Sequence, residues 1–190
     1  MAANSWSHSY AKGSRTEANV ALKAIQYGYN VHAIGAVESF SDVPNSYAIN
    51  VYGKQIKIET PDLLIRKDDK VPIALESKYK DRTYGGYIYC DERRVKYGDQ
   101  WSRLSNTPVF WVIQLGEDIE NLLCISPRKI LDQYTIKNDK EDRNGNPESV
   151  LLVREELFRP FTNLLEGKLR IEISHNFYLL GEDGKEPLLL

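Results

Sequence analysis

Histidine, cysteine and long apolar runs are scarce in this 190-residue chain, and each scarcity removes a class of function. The three histidines, His8, His32 and His175, are scattered, and none has a partner at metal or catalytic-triad spacing. Cys90 and Cys124 sit in apolar, strand-like surroundings without metal-ligand spacing, so they read as buried thiols of a reducing compartment rather than a disulfide framework. No apolar run approaches the roughly 20 residues of a membrane span. The opening segment "MAANSWSHSYAKGSR" lacks the apolar centre of a signal peptide, and an intracellular (cytoplasmic) location is expected. The paired glycines of "TYGGY" are not followed by Lys-Ser/Thr, so they form no phosphate-binding loop and read as a flexible turn. No repeat or low-complexity tract is present.

What is there describes an ordinary globular protein, with 42% hydrophobic and 27% charged residues. The length suits one domain with a C-terminal elaboration. A net charge of −2 excludes a generally basic nucleic-acid coat protein. The charge is uneven, however: residues 1–115 carry a net +3 and residues 116–190 a net −5. Chance unevenness accounts for that equally well.

A helix is expected in "SRTEANVALKAIQYGYNV", with Ser14 or Thr16 as cap, Val20, Ala21, Ala24 and Ile25 at helical spacing, and Gly28 as the stop. "NVHAIGA" reads as a strand and "VESFSDVPNS" as a polar loop. "YAINVYGKQIKIE" reads as strand, turn, strand, and "DLLIR" and "VPIALESK" as two more strands around "KDDK". "CDERRVKYGDQWSRLS" suggests a helix with Tyr97, Trp101 and Leu104 on one face, weakened by Gly98. "PVFWVIQL" has the continuous apolar character of a strand covered on both sides. Beyond it, "NLLCI" reads as a strand and "SPRKILDQY" as a helix capped by Ser126 with Pro127 at its first position. "TIKNDKEDRNGNPES" reads as a polar loop, and "VLLVR", "ELFRPFTNLLEG" and "LRIEISHNFYLL" as strand, interrupted helix and strand. The fold class expected is α/β, a central mixed β-sheet flanked by helices with a C-terminal α+β extension.

The charges in "TPDLLIRKDDKVPIALESKYK" stand where a buried sheet is expected. In an antiparallel hairpin around Asp68 and Asp69, opposed residue numbers sum to 137 or 138. Glu76 and Lys78 share a face by alternation. A sum of 138 adds Asp62 to them; a slip of one residue turns it away. Two adjacent carboxylates repel in low-dielectric surroundings, and a divalent cation removes the conflict. Hard oxygen donors suit Mg²⁺ or Mn²⁺, which polarise a phosphate and activate water. Lys78 then orients the water or stabilises charge on the phosphorane. Such a patch hydrolyses phosphodiesters; the bland alternative is a surface hairpin with an ordinary ion pair.

Those residues resemble a family. Pro61-Asp62 and Glu76-Ser77-Lys78 match the motif of the PD-(D/E)XK nuclease superfamily. "KGSRTEANV", "YGYNV" and "YIYCDERRVKYGDQWSRLSNTPVFWVI" are similar to segments of archaeal-type Holliday-junction resolvases. The resemblance covers about residues 12–115. It implies a restriction-endonuclease-like core over 12–116, an N-terminal tail over 1–11, and an extension over 117–190 packed on the core or at a dimer interface. It implies a metal-dependent DNA endonuclease, with Mg²⁺ replaceable by Mn²⁺ and a homodimer acting on branched or duplex DNA. Asp62 and Glu76 match the metal ligands, Glu17 the helix-borne acid that completes the site, and Lys78 the catalytic lysine. Glu17 has a second reading, as an acid favoured by the helix dipole. Lys12 and Arg15 fall where the family faces basic residues to the DNA backbone, and Gln100 where a polar residue often lies near the metal.

Other residues invite DNA contacts on their own chemistry. Arg93, Arg94 and Lys96 follow the catalytic strand and either approach phosphates or form a solvated helix face. Lys80 and Arg82 are interleaved with Tyr79, Tyr84, Tyr87 and Tyr89, a pattern used for stacking on unpaired bases and, more commonly, for strand pairing. The chain departs from the resolvase pattern in its longer loop before Asp62 and in the 75 residues after Leu115. That leaves open a sequence-specific restriction or homing endonuclease, a non-cleaving DNA-binding protein on the same fold, and an interaction module with chance motifs.

Overall fold

The computed structural model describes residues 3–34, 46–51, 54–141, 147–169, 178–180 and 187–189. Nearly all of the expected loop "VESFSDVPNS" and most of the expected strand "LRIEISHNFYLL" lie outside these residues.

Helix α1 runs over Ala3–Gln26. It therefore starts eleven or more residues before the Ser14 or Thr16 cap that the sequence suggests, and the tail expected over 1–11 is helical from Ala3. Thr16 instead lies inside the helix, its hydroxyl bonded back to the Lys12 carbonyl at 3.0 Å. The stop is as expected: Gly28 adopts φ +80°, where a side chain is strained, and its N–H bonds the Ile25 carbonyl. Gly28→Ala should lower stability by about 1 kcal/mol, checked by denaturant unfolding. The buried stripe is Thr16, Val20 and Ala24, at i, i+4 and i+8. Ile25, expected on that stripe, is 55% exposed.

The main sheet has six strands in the order β1 (Asn30–Ala33), β4 (Leu63–Arg66), β5 (Ile73–Lys80), β7 (Val109–Leu115), β8 (Leu122–Ile125) and β11 (Arg159–Pro160). β5 and β7 pair in parallel and their neighbours antiparallel, giving a mixed sheet. The parallel step is bridged by β6 (Tyr87–Asp91) and helix α2 (Glu92–Ser105). On one face α1 and the short helix α4 (Phe161–Leu165) bury Val20, Ala24, Leu63, Ile65, Leu75, Val112 and Phe161. On the other, α2, β6, helix α3 (Pro127–Gln133) and β10 (Pro147–Arg154) bury Ile88, Val95, Trp111, Ile113, Ile130 and Val153. Each fully buried Leu or Ile here contributes roughly 2 kcal/mol. Cys90 and Cys124 are both free and buried, and burial pushes both thiols up to about 12.

Residues 122–125 and 159–160 extend the main sheet, so much of the region after Leu115 is built into the same core. β6, β10 and β9 (Ile136–Glu141) form a second antiparallel sheet. β9 lies in what reads as a polar loop: Ile136, Lys137 and Asn138 are exposed, and pairing with β10 makes it an edge strand. Two further hairpins pair β2 (Ser46–Val51) with β3 (Lys54–Glu59) and β12 (Tyr178–Leu180) with β13 (Pro187–Leu189).

The α2 face differs from the expected Tyr97, Trp101 and Leu104 stripe. Tyr97 is buried, but Trp101 is half-buried and Leu104 is 38% exposed. The close approach is made at Gly98, where an added Cβ would lie 3.0 Å from Pro127 and 3.7 Å from the Trp111 indole nitrogen. The glycine that weakens the helix locally is what lets α3 and β7 come near it. α3 itself begins as the sequence suggests, with the Ser126 hydroxyl accepting from Lys129 N–H and Pro127 at the first turn.

Candidate active site

β4 and β5 fold back through Lys67–Lys70. Lys70 N–H bonds the Lys67 carbonyl, and Asp68 adopts φ +52°, a region that aspartate tolerates better than most residues. Leu63 pairs with Leu75, Leu64 with Ala74 and Ile65 with Ile73, so opposed numbers sum to 138. Carried one residue further, this register sets Asp62 opposite Glu76, the alternative that gathers the acids on one face. Ser77 N–H donates to Asp62 Oδ2 at 2.6 Å, fastening the aspartate to the strand that carries the glutamate. Lys78 Nζ stands 2.5 Å from Glu76 Oε1, and Arg94 Nη1, from the first turn of α2, stands 3.5 Å from the same oxygen. The alternation of β5 places Lys80 on their face too. Trp111 is Glu76's partner on β7 and is almost fully buried, so the glutamate has an apolar neighbour.

The electrostatics are those of crowded acids. Burial, then the charge of Glu76, pushes the Asp62 carboxyl up to about 7; Lys78 and the Ser77 N–H oppose the rise, and Glu17 adds to it. Glu17, half-buried on α1, is raised by burial and then by Glu76, with Lys78 acting against. The charge of Glu76 therefore raises two carboxyls, Asp62 ahead of β4 and Glu17 on α1.

Among the described residues, no three His, Cys, Asp or Glu side chains close into a ligand cage. Glu17 joins Asp62 and Glu76 through its field rather than as a third converging oxygen. A donor set of one or two carboxylates, with the remaining positions left to water and phosphate oxygens, is what Mg²⁺ takes. The raised Asp62 carboxyl is the group that a cation would relieve, and the residues present fit such an ion.

The other residues that the sequence singles out fall in several places. Lys12, expected to face a DNA backbone, is turned to the protein. Its ammonium lies 2.8 Å from Asp81, 3.5 Å from Glu117 and 4.6 Å from the Tyr79 ring centroid. Asp81's carboxylate, through its hydrogen bond, raises the Lys12 ammonium above the ordinary lysine range. Arg15 is exposed and lies 4.0 Å from Glu117. Asp81 and Glu117 gave no signal in the sequence, being about 70 and 105 positions from Lys12. Arg93 is exposed on α2. Lys96 pairs with Glu92 at 3.0 Å, a contact that Glu92 shares with Lys137 at 2.9 Å. Arg82 lies over the Tyr84 ring at 5.2 Å. Gln100 is 2% exposed, and neither end of its amide has a hydrogen-bond partner among the described residues. No hydrogen bond among the described residues ties it to Asp62, Glu76 or Lys78.

No family model and no curated protein matches the chain. Among solved structures, the chain resembles Hjc, a Holliday junction resolvase of Archaeoglobus fulgidus, with a TM-score of 0.51 at 10% identity. The likeness covers 82% of this chain and 96% of Hjc, which reaches beyond residues 12–115. A second solved structure, of the protein SSO0001, aligns at 22% identity over 57% of this chain and 48% of that one. Its TM-score of 0.34 carries no weight. At these identities the likeness to Hjc establishes the fold: a central mixed sheet flanked by helices, of the restriction-endonuclease-like kind.

Proposed function

We propose that the chain is a divalent-metal-dependent DNA endonuclease of the PD-(D/E)XK type, acting on branched DNA as a homodimer. The observation that carries this is the β4–β5 register, which sets Asp62 opposite Glu76 with the Lys78 ammonium against the glutamate. The likeness in fold to a Holliday junction resolvase supports the substrate class.

Glu17, Asp62 and Glu76 would hold the cation, directly or through water. A bound Mg²⁺ or Mn²⁺ would supply Lewis acidity to the scissile phosphate and to a water. The Lys78 ammonium, which stands against Glu76, would donate to the attacking water or a phosphate oxygen. Arg94, exposed beside Glu76, binds the adjacent phosphate. Arg93, one residue earlier on the same helix, meets the DNA backbone. Two-fold pairing of chains presents two such sites to the two strands cut in a junction.

The test is a substrate panel of four-way junction, linear duplex and single strand, with Mg²⁺, Mn²⁺ or EDTA. Paired nicks across the junction are expected with either metal, and EDTA should remove at least about 99% of product, as loss of a Lewis acid and its activated water implies. Cutting of linear duplex at one sequence would replace the junction reading with a restriction or homing endonuclease. Binding without cutting of any DNA in metal would end the nuclease reading.

A further inference from the structure

The turn at Gly85–Gly86 builds a surface that the proposed chemistry does not use. Both glycines have positive φ, 60° and 80°, and Tyr84 and Tyr87 exchange both backbone hydrogen bonds across them. This is a two-residue hairpin whose flanking residues face the same way. Alternation then places Arg82, Tyr84, Tyr87 and Tyr89 on one face, opposite Ile88 and Cys90, which are buried in the core. Tyr84 and Tyr89 stack with ring centroids 5.3 Å apart and planes 2° from parallel. Arg82 lies over Tyr84, and Tyr84 remains 50% exposed.

β10 extends the same face. Arg154 pairs with Tyr87 in register and hydrogen-bonds its ring hydroxyl; Leu152 pairs with Tyr89, and Ile136 of β9, 49% exposed, pairs with Leu152. A cleft of about 670 Å³, lined by Gly85, Gly86, Tyr87, Arg154 and Arg159 among others, opens beside the hairpin. Arg154 meets Glu156 at 3.4 Å, and both side chains are exposed, so that pair is weak. A solvent-facing sheet surface is normally polar. This one carries stacked rings and arginines.

The face is also linked to the carboxylate patch through the cap of α2. Tyr89 is two residues, about 7 Å of strand, from Asp91. Asp91 caps α2 by accepting from Arg94 N–H at 2.9 Å, and the Arg94 guanidinium reaches Glu76. We infer that the Arg82–Tyr84–Tyr89 stack is a binding site for an unpaired base of the DNA strand whose phosphate lies at Glu76 and Lys78, with Arg82 and Arg154 on the flanking phosphates. Rings and guanidinium planes suit any base, while exposed arginines suit the backbone. The inference rests on the DNA-cleaving reading for its substrate, and its test does not depend on cleavage.

Binding of an oligo(dT) single strand and of a blunt duplex is measured in EDTA by fluorescence anisotropy. Tyr84→Ala and Tyr89→Ala should each weaken single-strand binding by about 5- to 50-fold, as loss of one stacking partner does. Duplex binding should stay within about twofold, and Tyr84→Phe, which keeps the ring, should bind the single strand as wild type does. Arg82→Ala should reduce the slope of log K against log salt by about one. A Tyr84→Ala protein that binds the single strand as wild type does would overturn the inference and leave the cleavage reading standing. So would a Tyr84→Ala change in sedimentation, which would assign the face to contacts between copies of the chain. Normal single-strand binding by a wild-type protein that cuts no DNA would instead uphold the platform and remove the nuclease.

Discussion

Lys78→Ala should cut four-way junctions at least about a thousandfold more slowly than wild type, while junction affinity measured in EDTA changes by less than about threefold. The expectation follows from where the ammonium sits. It is held 2.5 Å from Glu76 at the end of a strand whose first residues are buried, so its position is fixed by the sheet rather than by a flexible loop. A proton donor placed beside the phosphate stabilises charge that develops only in the transition state, and its loss lowers the rate without lowering binding. Lys78 is not needed to hold the fold: it is half-buried, and Arg94 remains beside Glu76 when it is gone. Single-turnover cleavage with saturating enzyme separates the two quantities. A variant that cuts within about tenfold of wild type would take Lys78 out of the chemistry. Lys78→Arg is the companion variant: a guanidinium keeps the charge but not the compact ammonium, so it should bind as wild type does and recover little of the rate.

The hairpin that carries this argument was legible because period-two alternation and a turn of four charged residues leave only two registers, one of which gathers Asp62, Glu76 and Lys78. The choice between those two was not legible; it is made by Leu63, Ile65, Ile73 and Leu75 all seeking the core under α1. The buried parallel pair β5 and β7 was legible from its continuous apolar runs. The start of α1 was not, because Ala3–Ala11 is polar and holds no cap signal distinct from Ser14 or Thr16. β9 was hidden for a related reason: "IKNDKE" is a strand through its partner, residues 147–152, not through its own side chains. Charge pairing across long sequence distance was invisible as well. Lys12 reads as a basic residue free for DNA, and only the folded chain shows Asp81 and Glu117 beside it. Gly98 shows the opposite failure, a residue whose local helix penalty concealed the close packing with Pro127.

Asp62→Asn should make the metal-free protein more stable at neutral pH even as it abolishes cleavage. The folded-state carboxyl, pushed up to about 7, lies well above the usual aspartate value of 3.8. Between those two values the native state holds a proton that the unfolded chain has released, so stability falls as pH rises through that window. Below it both states are protonated, and the carboxyl carries no penalty. Above it the native state carries a buried anion beside Glu76. Asparagine keeps the shape and an acceptor for the Ser77 N–H but never ionises. At about pH 8 the variant should be roughly 1–3 kcal/mol more stable than wild type without metal, a rise in Tm of about 2–8 °C. At about pH 3, below both values, the two should melt within about a degree of each other. Mg²⁺ should raise the Tm of wild type at the higher pH and leave the variant nearly unmoved, because the ion stabilises only the ionised carboxylate. A structural ion pair behaves in the opposite sense, since removing a stabilised anion lowers stability at neutral pH. Thermal melts of both proteins across that range therefore decide whether Asp62 is kept at a cost to the fold, as a group needed for cation binding and chemistry would be.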